Sequence, residues 1–275
     1  MANASRARQL PAMQLLDTVA LVTGAGHRLG RAIALGLADA GCHVGVHYGR
    51  SREAASETAD AIRALGREAF TFSADLARPD EIEALFCAIG DRFGRLDVLV
   101  NSAGSFERGV FDELTVEQWD ASLAVNARAP FLCSQRAARL MREAEGRVDT
   151  KGDPAPGSIV NIGDMSGVVT WRGYAQHGVS KAALLHLTRL SARELAPAIR
   201  ANAIVPGPIL PPAGQDLSGE EWRKKGERVP LGRAGDPSQI ADSVVFLSAN
   251  DYVTGDTLFV DGGEHLLTGG RRDDD

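Results

Sequence analysis

The chain has 275 residues and a formal net charge of −6, with both signs spread along it. It is long enough for one large α/β domain, or two small ones. The absence of a basic block argues against a nucleic-acid partner, and no apolar run is long enough to span a bilayer. Cys42, Cys87 and Cys133 are far apart and odd in number, which argues against a disulfide framework or a metal site and fits a reducing cytoplasm.

Residues 1–16 lack the apolar stretch of a secretory signal and read as a disordered extension. Thr18 to Thr23 is a short apolar run ending at Gly24, the pattern of a buried strand. Leu29 to Ala40 has helical spacing and stops at Gly41. His43 to Tyr48 reads as a strand, Arg52 to Leu65 as a helix and Glu68 to Phe72 as a strand. Asp80 to Phe93 is a helix behind Pro79 with an acidic first turn, and Leu96 to Asn101 is a fourth strand. A capping box at Thr115–Gln118 starts one long helix running to about Glu145. Residues 146–157 look like a surface excursion. Ser158 to Ile162 is a strand, Ala175 to Leu195 a helix and Arg200 to Val205 a strand. Pro206 to Arg233, rich in Pro, Gly and charge, reads as a mobile lid with Ile209, Leu217 and Trp222 as anchors. Pro237 to Ser248 is a helix and Thr257 to Val260 the last strand, before a tail over 266–275. This alternation predicts a single α/β domain over 17–265, a doubly wound parallel sheet with right-handed crossovers.

The turn Thr23-Gly24-Ala25-Gly26-His27-Arg28-Leu29-Gly30 sits where the first strand becomes a helix. Glycines there let backbone N–H groups approach a pyrophosphate at the helix N-terminus, the Rossmann-type arrangement. NAD-binding units place an acid at the end of the second strand, on the ribose 2′-OH. Here that strand ends His47-Tyr48-Gly49-Arg50-Ser51, with no acid. Arg28 and Arg50 can pair a 2′-phosphate, with His47 and Ser51 adding hydrogen bonds, because guanidinium forks match phosphate geometry. The expected cofactor is NADP(H).

From Thr18 to Gly263 the chain resembles the short-chain dehydrogenase/reductase family. Asn101-Ser102-Ala103-Gly104 looks like the family's NNAG segment, and Asp75-Leu76 like the pair at the adenine. Asn126 matches the asparagine of the proton relay, Pro206-Gly207-Pro208-Ile209 the segment beside the nicotinamide carboxamide, and Val260-Asp261-Gly262-Gly263 the closing motif. Within the family the chain is most similar to pteridine reductases. The likeness rests on Arg28 in place of a turn glycine, on His47 to Ser51, on Asp164 in place of the catalytic serine, and on Phe106, which matches a pterin-stacking phenylalanine. Gly104 departs from the serine usual in that group. Trp171 is a further expected substrate contact.

The family's Tyr-x-x-x-Lys pair is altered. Lys181, in Ser180-Lys181-Ala182, matches the lysine, but His177 stands four residues before it. Asp164 lies thirteen residues before His177, the family's serine-to-tyrosine spacing. Residues four apart share a helix face, so His177 and Lys181 still meet one site. The resemblance implies an NADP-dependent short-chain reductase acting on a small pterin-like or carbonyl substrate, with Asn126, Asp164, His177 and Lys181 as the catalytic set. Activity is expected to be reduced by the histidine. A regulatory, cofactor-binding role and an oxoacyl-type reductase stay open. A homotetramer is expected, with Leu184, Leu185 and Leu187 on its helix interface.

Overall fold

The computed structural model describes residues 15–143, 157–211 and 219–267. Seven parallel strands form one sheet in the order β3-β2-β1-β4-β5-β6-β7. They are β1 (Val19–Val22), β2 (His43–Tyr48), β3 (Ala69–Ser73), β4 (Val98–Asn101), β5 (Gly157–Ile162), β6 (Ile199–Pro206) and β7 (Thr257–Val260). The helices between them are α1 (Arg28–Asp39), α2 (Arg52–Ala64), α3 (Pro79–Phe93), α4 (Val116–Leu123), α5 (Ala129–Glu143), α6 (Ala175–Leu195), α7 (Glu220–Glu227) and α8 (Pro237–Ala249). The order reverses between β2-β1 and β4, the crevice where open α/β sheets bind ligands. Among the described residues no helix is long and apolar enough to cross a membrane.

Period-two geometry builds a core on each face. Ala20 and Val22 of β1, with Val98 and Val100 of β4, face the cluster that includes Ile33, Leu37, Ile62 and Val244. Val19, Leu21 and Leu99 point the other way, into the cluster of Ile82, Ile89, Ala137 and Ile159. Strands covered on both faces read as near-continuous apolar runs, and β1 and β4 are buried at every position, with Asn101 the polar residue at the end of β4.

Several expectations need correction. Leu15 is a core residue and Leu16 packs on Gly41, so residues 15 and 16 belong to the packed domain. The third strand lies one residue later than its pattern indicated. The long helix after Thr115 keeps its capping box but is broken by a π-helical turn over Ala124–Arg128. A π-bulge inserts one residue, which the 3.6-residue period does not reveal. Leu184 and Leu185 are buried against their own sheet, not exposed. Residues 206–233 contain helix α7, with Trp222 and Ile209 buried. Leu266, expected to open the 266–275 tail, closes a short 3₁₀ turn, and residues 268–275 lie outside the described residues. The residue 146–157 excursion lies outside the described residues except for Gly157, which opens β5. Leu217 lies outside them too.

Arg200 on β6 is buried and holds the C-terminal end of α8. Its guanidinium donates to the carbonyls of Leu247, Val253 and Ser248 at 2.7, 3.1 and 2.8 Å. A cation suits a helix C-terminus, and its removal takes the side-chain donor from the Leu247 and Ser248 carbonyls, while the Val253 carbonyl keeps the Asn202 Nδ2 donor at 2.9 Å. Arg200→Met is expected to lower unfolding free energy by about 2–4 kcal/mol in urea titration. A loss below about 0.5 kcal/mol would refute this role.

Candidate active site and cofactor turn

The glycine turn leaves β1 at the sheet's point of reversal. Gly24 is left-handed (φ +68°), and a Cβ there would lie 3.0 Å from Ala103 Cα. At Gly30 a Cβ would fall 2.2 Å from the Gly24 carbonyl oxygen, so helix and turn pack with no room for a side chain. Thr23 Oγ1 accepts from the N–H groups of Ser102 and Ala103, both at 3.0 Å, which fixes the segment after β4 against the turn. His27 is the N-cap of α1 and makes no side-chain cap, so the helix's first N–H groups have no acceptor from that side chain. Leu29 follows in the first turn. This cradle fits a dinucleotide pyrophosphate.

The two arginines differ in their engagement, where the sequence suggested that they act together. Arg28 adopts φ +54°, which costs a non-glycine residue about 1–2 kcal/mol. That backbone sends its guanidinium to the Pro211 carbonyl at 2.6 Å. Arg50 stays exposed in the loop between β2 and α2, beside Ser51, an N-cap whose hydroxyl makes no cap bond. Arg50 and Ser51 are therefore left as candidates for a 2′-phosphate. The Tyr48 hydroxyl accepts from Arg52 Nε at 3.2 Å.

His47 has both ring nitrogens engaged by protein atoms. It is buried, and Nδ1 accepts from the Gly24 N–H at 3.1 Å while Nε2 donates to the Ala74 carbonyl at 3.0 Å. Only the neutral Nε2–H tautomer makes both bonds. Burial pushes its pKa from 6.5 down to about 4, against a smaller upward pull from the Ala74 carbonyl. A histidine depressed in the folded state stabilises fully above its unfolded pKa. The contribution is lost as pH falls from about 6.5 towards 4, and totals about 3 kcal/mol. Urea unfolding at pH 7 and pH 5 is expected to show a loss of about 2 kcal/mol in the wild type that His47→Asn lacks. Equal slopes in the two proteins would contradict it.

Next to Ala74, Asp75 is exposed, accepts from the Ala77 N–H and receives none of the sheet's bonds, while Leu76 is buried. Asn101 is buried and donates to Asn161 Oδ1 across the β4–β5 register at 2.8 Å, so it braces the sheet end behind the turn.

A cleft of about 630 Å³ opens at Arg28. Gly104, Phe106, Asp164, Trp171, Pro206, Gly207, Pro208 and Leu210 line it, with Trp222 and Lys225 of α7 and Glu264. The Ile209 side chain points into the core. Sequence reasoning did not single out Met165, Leu210, Lys225 and Glu264, because nothing local to them marks a site that only the fold assembles.

His177 lies behind the cleft, 3% exposed, and does not line it. Phe106 covers it edge-on at 4.8 Å and stacks face-on against Tyr174, also at 4.8 Å. His177 Nδ1 donates to the Ser105 carbonyl at 2.9 Å. Its Nε2 is 3.6 Å from Asp164 Oδ1, within ion-pair range but beyond hydrogen-bond length. Asp164 Oδ1 also accepts from Ser166 N and Oγ at 2.8 and 2.6 Å. Burial opposes ionisation of Asp164, yet His177 and the Ser166 bonds together outweigh it and hold the carboxyl below the usual carboxylate range.

Asn126 sits on the π-helical turn. Its Oδ1 accepts from Ser105 N–H at 2.9 Å, and its Nδ2 donates to the Ser105 carbonyl at 3.0 Å and Ser180 Oγ at 3.1 Å. Lys181 is buried and donates to the Ile162 carbonyl at 2.8 Å. Burial lowers its pKa, with the Asp164 charge pulling the other way. A Cβ at Gly104 would lie 3.1 Å from Asn126 Oδ1 and 3.7 Å from Lys181 Nζ, so both groups lie just under the cleft floor. Among the described residues no cluster of His, Cys, Asp or Glu is placed to hold a metal.

Residues 24–265 match the family model described as enoyl-(acyl carrier protein) reductase. The 3-oxoacyl-[acyl-carrier-protein] reductase FabG of Staphylococcus aureus is 35% identical over 251 residues, covering 90% of this chain and 98% of that protein. An uncharacterized oxidoreductase of Mycobacterium tuberculosis is 38% identical over 258 residues, covering 92% and 94%. A Burkholderia cenocepacia short chain dehydrogenase solved in complex with NADP superposes with a TM-score of 0.80 at 33% identity, covering 91% of this chain and 98% of that one. A blue fluorescent protein from a metagenomic library, solved with NADPH, gives the same TM-score, identity and coverage.

Proposed function

The chain belongs to the short-chain dehydrogenase/reductase family, and we propose that within it the protein is an NADP(H)-dependent reductase of a flat, pterin-like substrate. The observation that carries this reading is the convergence of Arg28, Phe106 and Asp164 on one cleft, walled further by Trp171 and Trp222. Aromatic faces suit a planar ring. A carboxylate and a guanidinium suit the donors and acceptors along its edge. Arg50 and Ser51, with no acid at the end of β2, favour NADP(H) over NAD(H).

When bound, the nicotinamide supplies the hydride, and the protein must supply the proton. Gly24, Gly26, Gly30 and the start of α1 would hold the pyrophosphate, with Lys181, Asn101, Pro206 and Gly207 around the nicotinamide ribose and carboxamide. His177 Nδ1 carries a proton, because its acceptor is a carbonyl. A second proton on Nε2 turns the facing Asp164 oxygen from a repulsive neighbour into an ion-pair partner. His177 Nε2 is sealed from solvent, so its proton reaches the cleft by way of Asp164. The Asp164 carboxylate takes the Nε2 proton of the imidazolium and passes it to the substrate, returning to the ionised form. Neutral His177 is then reprotonated through the same carboxylate from water in the cleft. This longer route gives slower turnover than a phenol donating directly.

A second reading, a 3-oxoacyl thioester reductase, is favoured by the 35% identity to the S. aureus enzyme. NADPH consumption with a dihydropterin and with an acetoacetyl thioester separates the two. A homotetramer is part of the proposal. The stripe Val179, Ala182, Ala183, His186 and Leu190 on α6, exposed with Phe131 of α5, supports it in place of the buried leucines.

A further inference from the structure

We propose that His47 is a positioning residue that sets the Gly24 peptide for any nicotinamide dinucleotide, and is not a reader of the 2′-phosphate. This rests on the reading that the glycine turn holds such a cofactor. His47 grips the turn twice. Its ring Nδ1 accepts from the Gly24 N–H at 3.1 Å, and its backbone carbonyl accepts from the Ala25 N–H at 2.9 Å. Its Nε2–H anchors the other side of the ring to the Ala74 carbonyl at 3.0 Å, next to Asp75. One buried ring therefore ties β1's exit, the end of β2 and the end of β3 into a single frame.

Both ring nitrogens are used by protein atoms, so neither is left for a phosphate. Gly24 is left-handed and packed against Ala103, and the backbone grip on Ala25 alone does not fix the orientation of the preceding peptide. Beyond Ala25 the turn passes through Gly26 and His27 into the start of α1, the part of the turn that would hold the pyrophosphate, so the orientation of Gly24 is transmitted to a group common to NADH and NADPH.

Two amide side chains separate the two ring bonds. The asparagine amide oxygen reaches the place of imidazole Nδ1, and the glutamine amide nitrogen the place of Nε2. His47→Asn keeps the acceptor for Gly24 and loses the Ala74 bond. His47→Gln does the reverse. Each variant loses one buried bond, so both should show a lowered Tm. NADPH and NADH dissociation constants are measured for the wild type, both variants and Arg50→Ala, at a temperature where all are folded by circular dichroism. The expected result is about tenfold or greater weakening of both cofactors in His47→Gln, the effect of one net hydrogen bond. His47→Asn should stay within about threefold of wild type, and Arg50→Ala should lose NADPH alone. Loss of NADPH only in His47→Gln would overturn the proposal, as would equal affinities in the two His47 variants. A wild type that binds neither cofactor would overturn the cofactor reading and the His47 role together.

Discussion

Asp164→Asn is expected to lower turnover by about 10²–10⁴-fold, the usual worth of a positioned proton donor. NADPH affinity should stay within about threefold of wild type. Asp164 is the carboxylate that lines the cleft, while His177 lies sealed beneath Phe106. His177→Ala should lower turnover comparably, because both residues handle the same proton. Residues that act as one unit are non-additive, so the double variant should be no slower than the worse single variant. Multiplicative losses in steady-state kinetics would refute the relay. His177→Tyr should be faster than wild type, since a phenol is longer than an imidazole and can reach past Asp164. A tyrosine variant no faster than a briskly active wild type would show the histidine to be fully competent.

Arg50→Ala is expected to weaken NADPH by about 10–100-fold, the range for a hydrogen bond to a charged group. NADH affinity should change by less than about twofold. Arg28→Ala should behave differently, because the Arg28 guanidinium is committed to Pro211 and the cleft. Its loss should appear in the substrate KM and leave the ratio of the two cofactor affinities unchanged. A selective loss of NADPH in Arg28→Ala, measured by equilibrium titration, would restore Arg28 to the phosphate corner.

These two arginines differ in a way that the sequence does not mark. Strand and helix order was readable because buried parallel strands are continuous apolar runs and glycines punctuate them. The family motifs placed Asn126, Asp164, His177 and Lys181 together, and the structure gathers them under and around one cleft floor. Side-chain direction was not readable. Arg28 points to Pro211 because its backbone is left-handed, a state the sequence marks at glycine and not at arginine. His47 looked like a phosphate ligand from its place in a motif. Its burial, and the approach of Gly24 and Ala74 to its two nitrogens, depend on three strand ends meeting. The π-turn that aims Asn126 is invisible to a helical period. Phe106 over His177 joins loop and helix across long sequence separation, which spacing alone cannot show.

The proposed reaction is reduction of a pterin-like substrate by NADPH. It is tested most directly by following NADPH absorbance with purified wild-type protein and a dihydropterin, beside NADH with the same substrate and NADPH with an acetoacetyl thioester. Dihydropterin-dependent loss of NADPH is expected, with kcat/KM at least about tenfold above both other pairings, a difference of about 1.4 kcal/mol in transition-state stabilisation. Consumption of NADPH with the thioester but not with the dihydropterin would contradict it.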